Sequence, residues 1–185
     1  MMTAAVNIPP PNIARITVLQ GQARVSDSQR VEFTTVLGSC VAMCLYDPDM
    51  RIGGMNHFLL AEPPAALADN RIDEHYGVYL MEVLINEMLA HGAAKSRLRA
   101  HLYGGANLHA GMVRIGSMNA DFARHFLERE HIPLARYDLG GGHARRVDFR
   151  PASGQVRCRT VENTLAPQTL PSPRPDRSTG DVELF

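Results

Sequence analysis

Apolar residues recur at helical spacing in two stretches of the chain. From Glu74 to His91 the positions Val78, Met81, Leu84, Ile85, Met88 and Leu89 form one stripe, with Glu82, Asn86 and Glu87 mostly off it, the period of an amphipathic helix. Gly92 stands where a C-cap glycine closes such a helix. A second, shorter helix is predicted from Asn119, read as its N-cap, to His131 just before Pro133, with Phe122, Ala123, Phe126 and Leu127 as its stripe. The remaining apolar runs are short and read as strands: Ile13–Val18, Val31–Leu37, Val41–Tyr46, Ile52–Leu60, Leu98–Tyr103, Leu134–Leu139, Ala144–Phe149 and Gln155–Val161. Val147 and Phe149 alternate with Arg146, Asp148 and Arg150, so that strand shows one face to water. Val41–Leu45 is apolar almost throughout and is expected to be buried on both faces. Many short strands, two helices and no regular β-α-β alternation predict an α+β fold, a layered sandwich rather than a doubly wound sheet.

Proline marks the ends of this pattern. Seven of the twelve prolines lie in residues 1–11 and 160–185, and the stretch Pro167 to Gly180 is rich in Ser, Thr and Arg without apolar period. The expected organisation is a flexible segment over 1–11, one compact domain over 12–161 and a disordered tail over 162–185. With 45% hydrophobic and 21% charged residues in 185, the chain can bury a core. Nineteen basic residues balance nineteen acidic ones, so nothing global draws the protein to nucleic acid or to anionic lipid. No window resembles a membrane span and the N-terminus lacks the form of a secretory signal, which leaves a cytoplasmic location as the expectation.

Candidate chemistry is concentrated around one cysteine. Three cysteines do not make a disulfide framework. Cys40 and Cys44 are separated by four strand steps, ~13 Å, against a limit of ~7 Å between bridged Cα atoms. Cys158 alternates with exposed arginines and reads as core. Cys40 follows the Gly38-Ser39 corner and opens a strand. It reads either as a small apolar residue or as a nucleophile held where turn N–H groups point inward, with Gly38 and Ser39 as oxyanion and pocket candidates. His57, flanked by apolar residues, is either a structurally satisfied core histidine or the base for that thiol. The sequence has no C-x-x-C, no H-E-x-x-H and no G-x-S-x-G, so neither a metal nor a cofactor is expected, and the pairs at Gly104-Gly105 and Gly140-Gly141 read as turn glycines.

The run L-G-S-C-V-A-M-C-L-Y-D-P from Leu37 to Pro48, followed by G-G-M-N-H-F-L-L from Gly53 to Leu60, resembles the signature of CheD, the chemoreceptor glutamine deamidases of bacterial chemotaxis. The likeness continues through Tyr76-Gly77, Met81-Glu82, Tyr103 to Ala106, Ile115-Gly116 with Asn119, Asp138 to Gly141 and Arg145 to Phe149. The resemblance implies a layered sandwich similar to the catalytic domain of the cytotoxic necrotizing factor toxins. It implies Cys40 as nucleophile, His57 as general acid and base, and Thr34 as the residue that orients His57. Thr35 is next to it, and only one of two neighbours on a strand can face a pocket.

The implied activity is conversion of receptor glutamines to glutamates by acyl transfer, with glutamyl methyl esters as a second substrate class. The implied partners are the cytoplasmic helical domains of chemoreceptors and a CheC-type phosphatase. Two alternatives belong to other classes: a non-catalytic adaptor for that phosphatase, and a cysteine peptidase. If Cys40 and His57 titrate as a coupled pair, the thiol pKa is expected below the free value of ~8.5 and the imidazole pKa raised.

Overall fold

The computed structural model describes residues 12–60, 71–108 and 115–161; the segment 1–11 and the tail 162–185 lie outside the described residues. Two mixed sheets and two helices form three layers, the α+β sandwich that the pattern predicts. In chain order the strands are β1 (Ala14–Thr17), β2 (Gln22–Ser26), β3 (Val31–Leu37), β4 (Val41–Asp47) and β5 (Ile52–His57), then β6 (Arg99–Gly104), β7 (Leu134–Leu139), β8 (Ala144–Arg150) and β9 (Gln155–Val161). Helix α1 spans Arg71–Ala90 and α2 spans Ile115–Arg129. One sheet has the order β1-β3-β8-β9 and the other β2-β5-β4-β6-β7. Only β1 with β3 and β6 with β7 run parallel.

Strand β4 is central to the second sheet and buried along nearly its whole length, as its continuous apolar run requires. Val41, Met43 and Leu45 face the helices, packing with Leu80, Met81, Leu84 and Met88 of α1 and Phe126 and Leu127 of α2. Ala42 and Cys44 face the other sheet, with Phe33 and Leu37 of β3, Met55 of β5, and Val147 and Phe149 of β8. Each fully buried Leu, Met or Phe side chain contributes ~1.5–3 kcal/mol, and the two layers together leave the backbone of β4 little freedom to move.

Helix α1 closes as the glycine at 92 predicts. Gly92 has φ +95°, and the N–H groups of Gly92 and Ala93 return to the carbonyls of Leu89 and Met88 at 3.0 and 3.1 Å, the paired bonds of a Schellman motif. Helix α2 begins at Ile115, four residues before the expected N-cap. Asn119 is therefore inside the helix and fully buried, and its side chain serves other elements. Strand β2 was not among the expected strands, because Gln22-Ala-Arg-Val-Ser26 carries only two apolar residues. Its pairing with β5 supplies what its composition does not. Among the described residues no helix is long and apolar enough to cross a membrane.

Asp47 ends β4 and ties it to the 3₁₀ turn at Lys95–Arg97. Its buried carboxylate accepts from the N–H groups of Asp49, Met50 and Ala94 and pairs with Arg97 at 2.8 Å. Burial pushes the carboxyl pKa up, but these donors outweigh it and hold it at about 2. A depressed folded-state pKa stabilises above the unfolded value of ~3.9 and is lost as pH falls from there toward 2. Asp47→Asn, measured by urea unfolding at pH 7, is expected to cost ~1.5–3 kcal/mol. The difference between variant and wild type should shrink in the same titration at pH 3.

Candidate active site

The site forms where the chain crosses between the sheets. Residues 18–21 connect β1 of one sheet to β2 of the other and are bonded to both. The Val18 N–H donates to the Thr34 carbonyl at 2.9 Å, and the Gly21 N–H donates to the His57 carbonyl at 2.8 Å. The Thr35 hydroxyl donates to the Val18 carbonyl at 2.9 Å.

His57 and Cys40 lie on one face of the second sheet. Val41 and Phe58 form an antiparallel bridge, in the register that also pairs Cys44 with Met55. That register puts Ala42 opposite His57 and makes Cys40 its diagonal neighbour, a separation that side chains can span. Both point toward the inter-sheet layer, against whose core Cys40 packs.

The hydrogen bonds assign the imidazole tautomer. Nδ1 of His57 lies 2.9 Å from Thr35 Oγ1 and 3.3 Å from the Val18 carbonyl oxygen. The Thr35 hydroxyl proton is already given to Val18, so Thr35 can only accept from the ring. Nδ1 therefore carries the hydrogen and Nε2 the lone pair. That Nε2 is buried and, among the described residues, has no hydrogen-bond partner.

Thr34 does not orient His57, contrary to the expectation. Phe33, Thr35 and Leu37 share the face of β3 that packs inward, and Thr34 points the other way. The Thr34 hydroxyl donates to Asp148 at 2.7 Å, its partner across the β3–β8 ladder, and Asp148 is held in turn by Arg146 and Arg159. Strand periodicity decides between the two threonines, and it selects Thr35. The apolar alternation of Phe33 and Leu37 around Thr35 was the signal available in the sequence.

The corner before Cys40 is held by backbone bonds and by Asn119. The carbonyls of Gly38 and Cys40 accept from the N–H groups of Ala106 and Gly105, both at 2.9 Å or less. Gly104 has φ +108°, and a Cβ there would overlap the Cys40 carbonyl oxygen, so the glycine pair read as a turn is a close-approach site. Asn119 donates to the Ser39 carbonyl at 2.8 Å and accepts from the Leu60 N–H at 2.8 Å. One buried amide thus links the loop before the cysteine to the segment just after the histidine strand. The carbonyls of Gly38 and Ser39 accept within this scaffold, and the N–H groups of Gly38, Ser39 and Cys40 are not among the backbone donors of the described turns and loops.

Burial sets the resting charge state. It pushes the Cys40 thiol pKa up against a smaller opposing effect of its own backbone N–H, and it pushes His57 down against the Val18 carbonyl. Both shifts favour the uncharged forms, thiol and neutral imidazole, opposite in direction to those expected of a coupled thiolate and imidazolium. Cys44 is buried in the same layer with its thiol pushed far up by burial, and all three cysteines are free.

Residues 59–160 match the family model CheD, described as CheD chemotactic sensory transduction. Over 183 residues the chain is 55% identical to the probable chemoreceptor glutamine deamidase CheD of Zymomonas mobilis subsp. mobilis, an alignment covering 99% of this chain and 98% of that one. The chain belongs to the CheD family. A second CheD relative, the protein of the same name from Caulobacter vibrioides, is 45% identical over 191 residues and covered in full. The chain is also similar to the crystal structure of Bacillus licheniformis hypothetical protein YfiH at a TM-score of 0.44 and 11% identity, covering 64% of this chain and 49% of that one. The family match begins at residue 59, after Cys40 and His57, so it is the longer alignments with whole CheD relatives that extend across the site.

Asn119→Ala in this CheD chain removes both bonds and leaves the Leu60 N–H buried without an acceptor. Such a group costs ~1–3 kcal/mol. Chemical denaturation should show a loss of that size, and Asn119→Asp, which keeps the acceptor and loses the donor, should fall between the variant and wild type.

Proposed function

We propose that this chain deamidates glutamines in the cytoplasmic region of chemoreceptors, with Cys40 as nucleophile and His57 as general base and acid. The observation that carries this reading is the His57 tautomer. Nδ1–H is fixed by Thr35 and Val18, so the unpartnered Nε2 is available on the face it shares with Cys40. The names of the full-length relatives support the substrate class.

The reaction follows from these parts. Nε2 takes the thiol proton as sulfur attacks the side-chain carbonyl carbon of the glutamine, and the C=O electron pair moves onto oxygen. In this reading the N–H of Cys40, which is not among the backbone donors of the described turns and loops, donates to that oxyanion. Collapse restores the carbonyl and breaks the C–N bond as His57 returns its proton to nitrogen, because an amide anion is too basic to leave unaided. Water, deprotonated by His57, then attacks the thioester carbon and expels the thiol. The products are glutamate and ammonia. Thr35 is the positioning residue that holds Nδ1 and keeps the lone pair on Nε2, the part the third residue plays in a nucleophilic triad. A glutamyl methyl ester presents the same acyl carbon with an easier leaving group and falls within the same mechanism. A CheC-type phosphatase belongs to the reading as a regulatory partner.

Mass spectrometry of a receptor cytoplasmic fragment tests the reading: wild type should add one dalton at individual glutamines and Cys40→Ala none, while Cys44→Ala keeps most activity. Backbone cleavage or an unchanged fragment with folded wild type would sink it. Thr35→Val should lower kcat by ten-fold or more with little change in KM, whereas Thr34→Val should leave kcat within about two-fold of wild type and reduce thermal stability instead.

The direction of both shifts fixes the sign of the expected pH dependence. Activity needs His57 unprotonated, and its pKa is lowered by burial. The acid limb of kcat/KM should therefore lie below the ordinary imidazole value of ~6.5 and the profile stay level through neutrality. Alkylation of Cys40 by iodoacetamide should climb only above ~8.5. A rate already at its plateau at pH 7 would mean that the pair rests as an ion pair.

A further inference from the structure

Gln20 lies at the crossing between the sheets, and its side chain reaches the proposed nucleophile. The Cys40 thiol donates to Gln20 Oε1 at 3.5 Å. Gln20 and Gly21 are the two central residues of a turn closed by the Gln22 N–H on the Leu19 carbonyl at 3.0 Å, and the Gln22 side chain accepts from the Leu19 N–H at 3.1 Å. Gly21 has φ +82°, the conformation that this position of a type II turn demands. The same Gly21 is bonded through its N–H to the His57 carbonyl. The turn that carries Gln20 is therefore fixed to the strand that carries the base. Gln20 is exposed, beside the sulfur it contacts.

We propose that Gln20 is a catalytic residue, the second oxyanion donor of the site, acting beside the N–H of Cys40. The proposal rests on the acyl-transfer reading above and adds a residue to it. A carboxamide carries an acceptor oxygen and a donor NH₂ at one end, and half a turn about its last bond exchanges them. Before reaction the thiol is a donor, and the oxygen faces it. Once His57 has taken the proton and sulfur has bonded to the substrate carbon, the nearest demand is for a donor to the oxygen that has received the C=O electron pair. The Gln20 NH₂ then meets it, 

with no movement of the backbone that anchors it. On collapse that electron pair re-forms the carbonyl, the C–N bond breaks, and His57 protonates the departing nitrogen. Gln20 exchanges no proton and is unchanged at the end of the cycle.

The contact also invites the opposite reading, in which Gln20 is the chain's own glutamine seated as a substrate. The geometry disfavours it. A bound substrate directs its carbonyl oxygen to N–H donors and its carbon to sulfur, but here the oxygen accepts from the thiol itself. One set of variants separates the readings. Gln20→Ala and Gln20→Glu are assayed for kcat and KM on a receptor cytoplasmic fragment, for the burst of p-nitrophenol when p-nitrophenyl acetate acylates Cys40, and for alkylation by iodoacetamide. Alkylation forms no oxyanion. Loss of the donor should lower kcat and the acylation rate by ~10²–10³ with KM nearly unchanged and alkylation no slower than in wild type.

An unchanged or raised kcat would overturn the proposal, as would an equal fall in alkylation, which marks a merely structural loss. A one-dalton gain at Gln20 itself in wild type that is absent in Cys40→Ala would overturn it too, by making Gln20 a substrate. If wild type leaves the receptor fragment untouched while the acylation burst still depends on Gln20, the substrate assignment fails and the donor role stands.

Discussion

The carbonyl of Val18 is the point on which the site depends. It accepts the Thr35 hydroxyl from one sheet and lies 3.3 Å from the His57 ring of the other. Through these two bonds the distance between the sheets at this end of the sandwich is set by hydrogen-bond lengths as well as by side-chain packing. Because Thr35 gives its only proton to Val18, the ring must donate to Thr35, and the tautomer of His57 follows from a backbone carbonyl. Displacing the crossing segment at 18–21 would release Thr35, the imidazole and the turn bearing Gln20 together.

On the far side of Cys40 the constraint is steric. The cysteine carbonyl is approached so closely by Gly104 that a Cβ there would overlap it, and Gly116 of α2 stands equally close to the carbonyls of Gly105 and Ala106. These contacts stack three backbone segments with no side chains between them. Asn119, one turn further along α2, then bonds Ser39 and Leu60. Cys40 is thus held from two directions, by the crossing segment at its side chain and by glycine-mediated backbone packing under its carbonyl. Sulfur is left as the movable part, with one soft bond to Gln20.

How much of this was legible follows from the kind of information each feature needs. The two-sided burial of β4, the closing glycine of α1 and the layered α+β architecture are local patterns, and alternation with helical period was enough to read them. Cys40 and His57 stood out because polar or reactive groups inside apolar strands require a reason. Thr34 and Thr35 could not be separated by identity, only by which face of β3 turns inward. The flanking Phe33 and Leu37 favoured Thr35, while the family resemblance pointed one residue earlier. Asn119 has the composition of a helix cap, and nothing local shows that the helix starts a turn before it. Gln20 and Gly104 depend on segments distant in sequence meeting at Cys40, which no local pattern records.

The neutral state of the pair has a consequence for selectivity. A thiolate stabilised at rest reacts with any electrophile that reaches it, because its nucleophilicity is present before substrate arrives. Here burial favours a protonated Cys40 thiol and an unprotonated His57, so in the proposed mechanism the nucleophile is generated during attack, by transfer to Nε2. That transfer creates opposite charges in a partly desolvated layer, and it becomes favourable only when the oxyanion is stabilised at the same time. Donors to the oxyanion therefore govern activation of the thiol as well as breakdown of the intermediate. An acyl group correctly seated between the Cys40 N–H and the Gln20 amide would switch on the nucleophile that attacks it. A misplaced one would find a thiol. For an enzyme that must act on a few glutamines among the many on protein surfaces, this coupling gives discrimination at the chemical step, where a resting thiolate would have left it to binding alone.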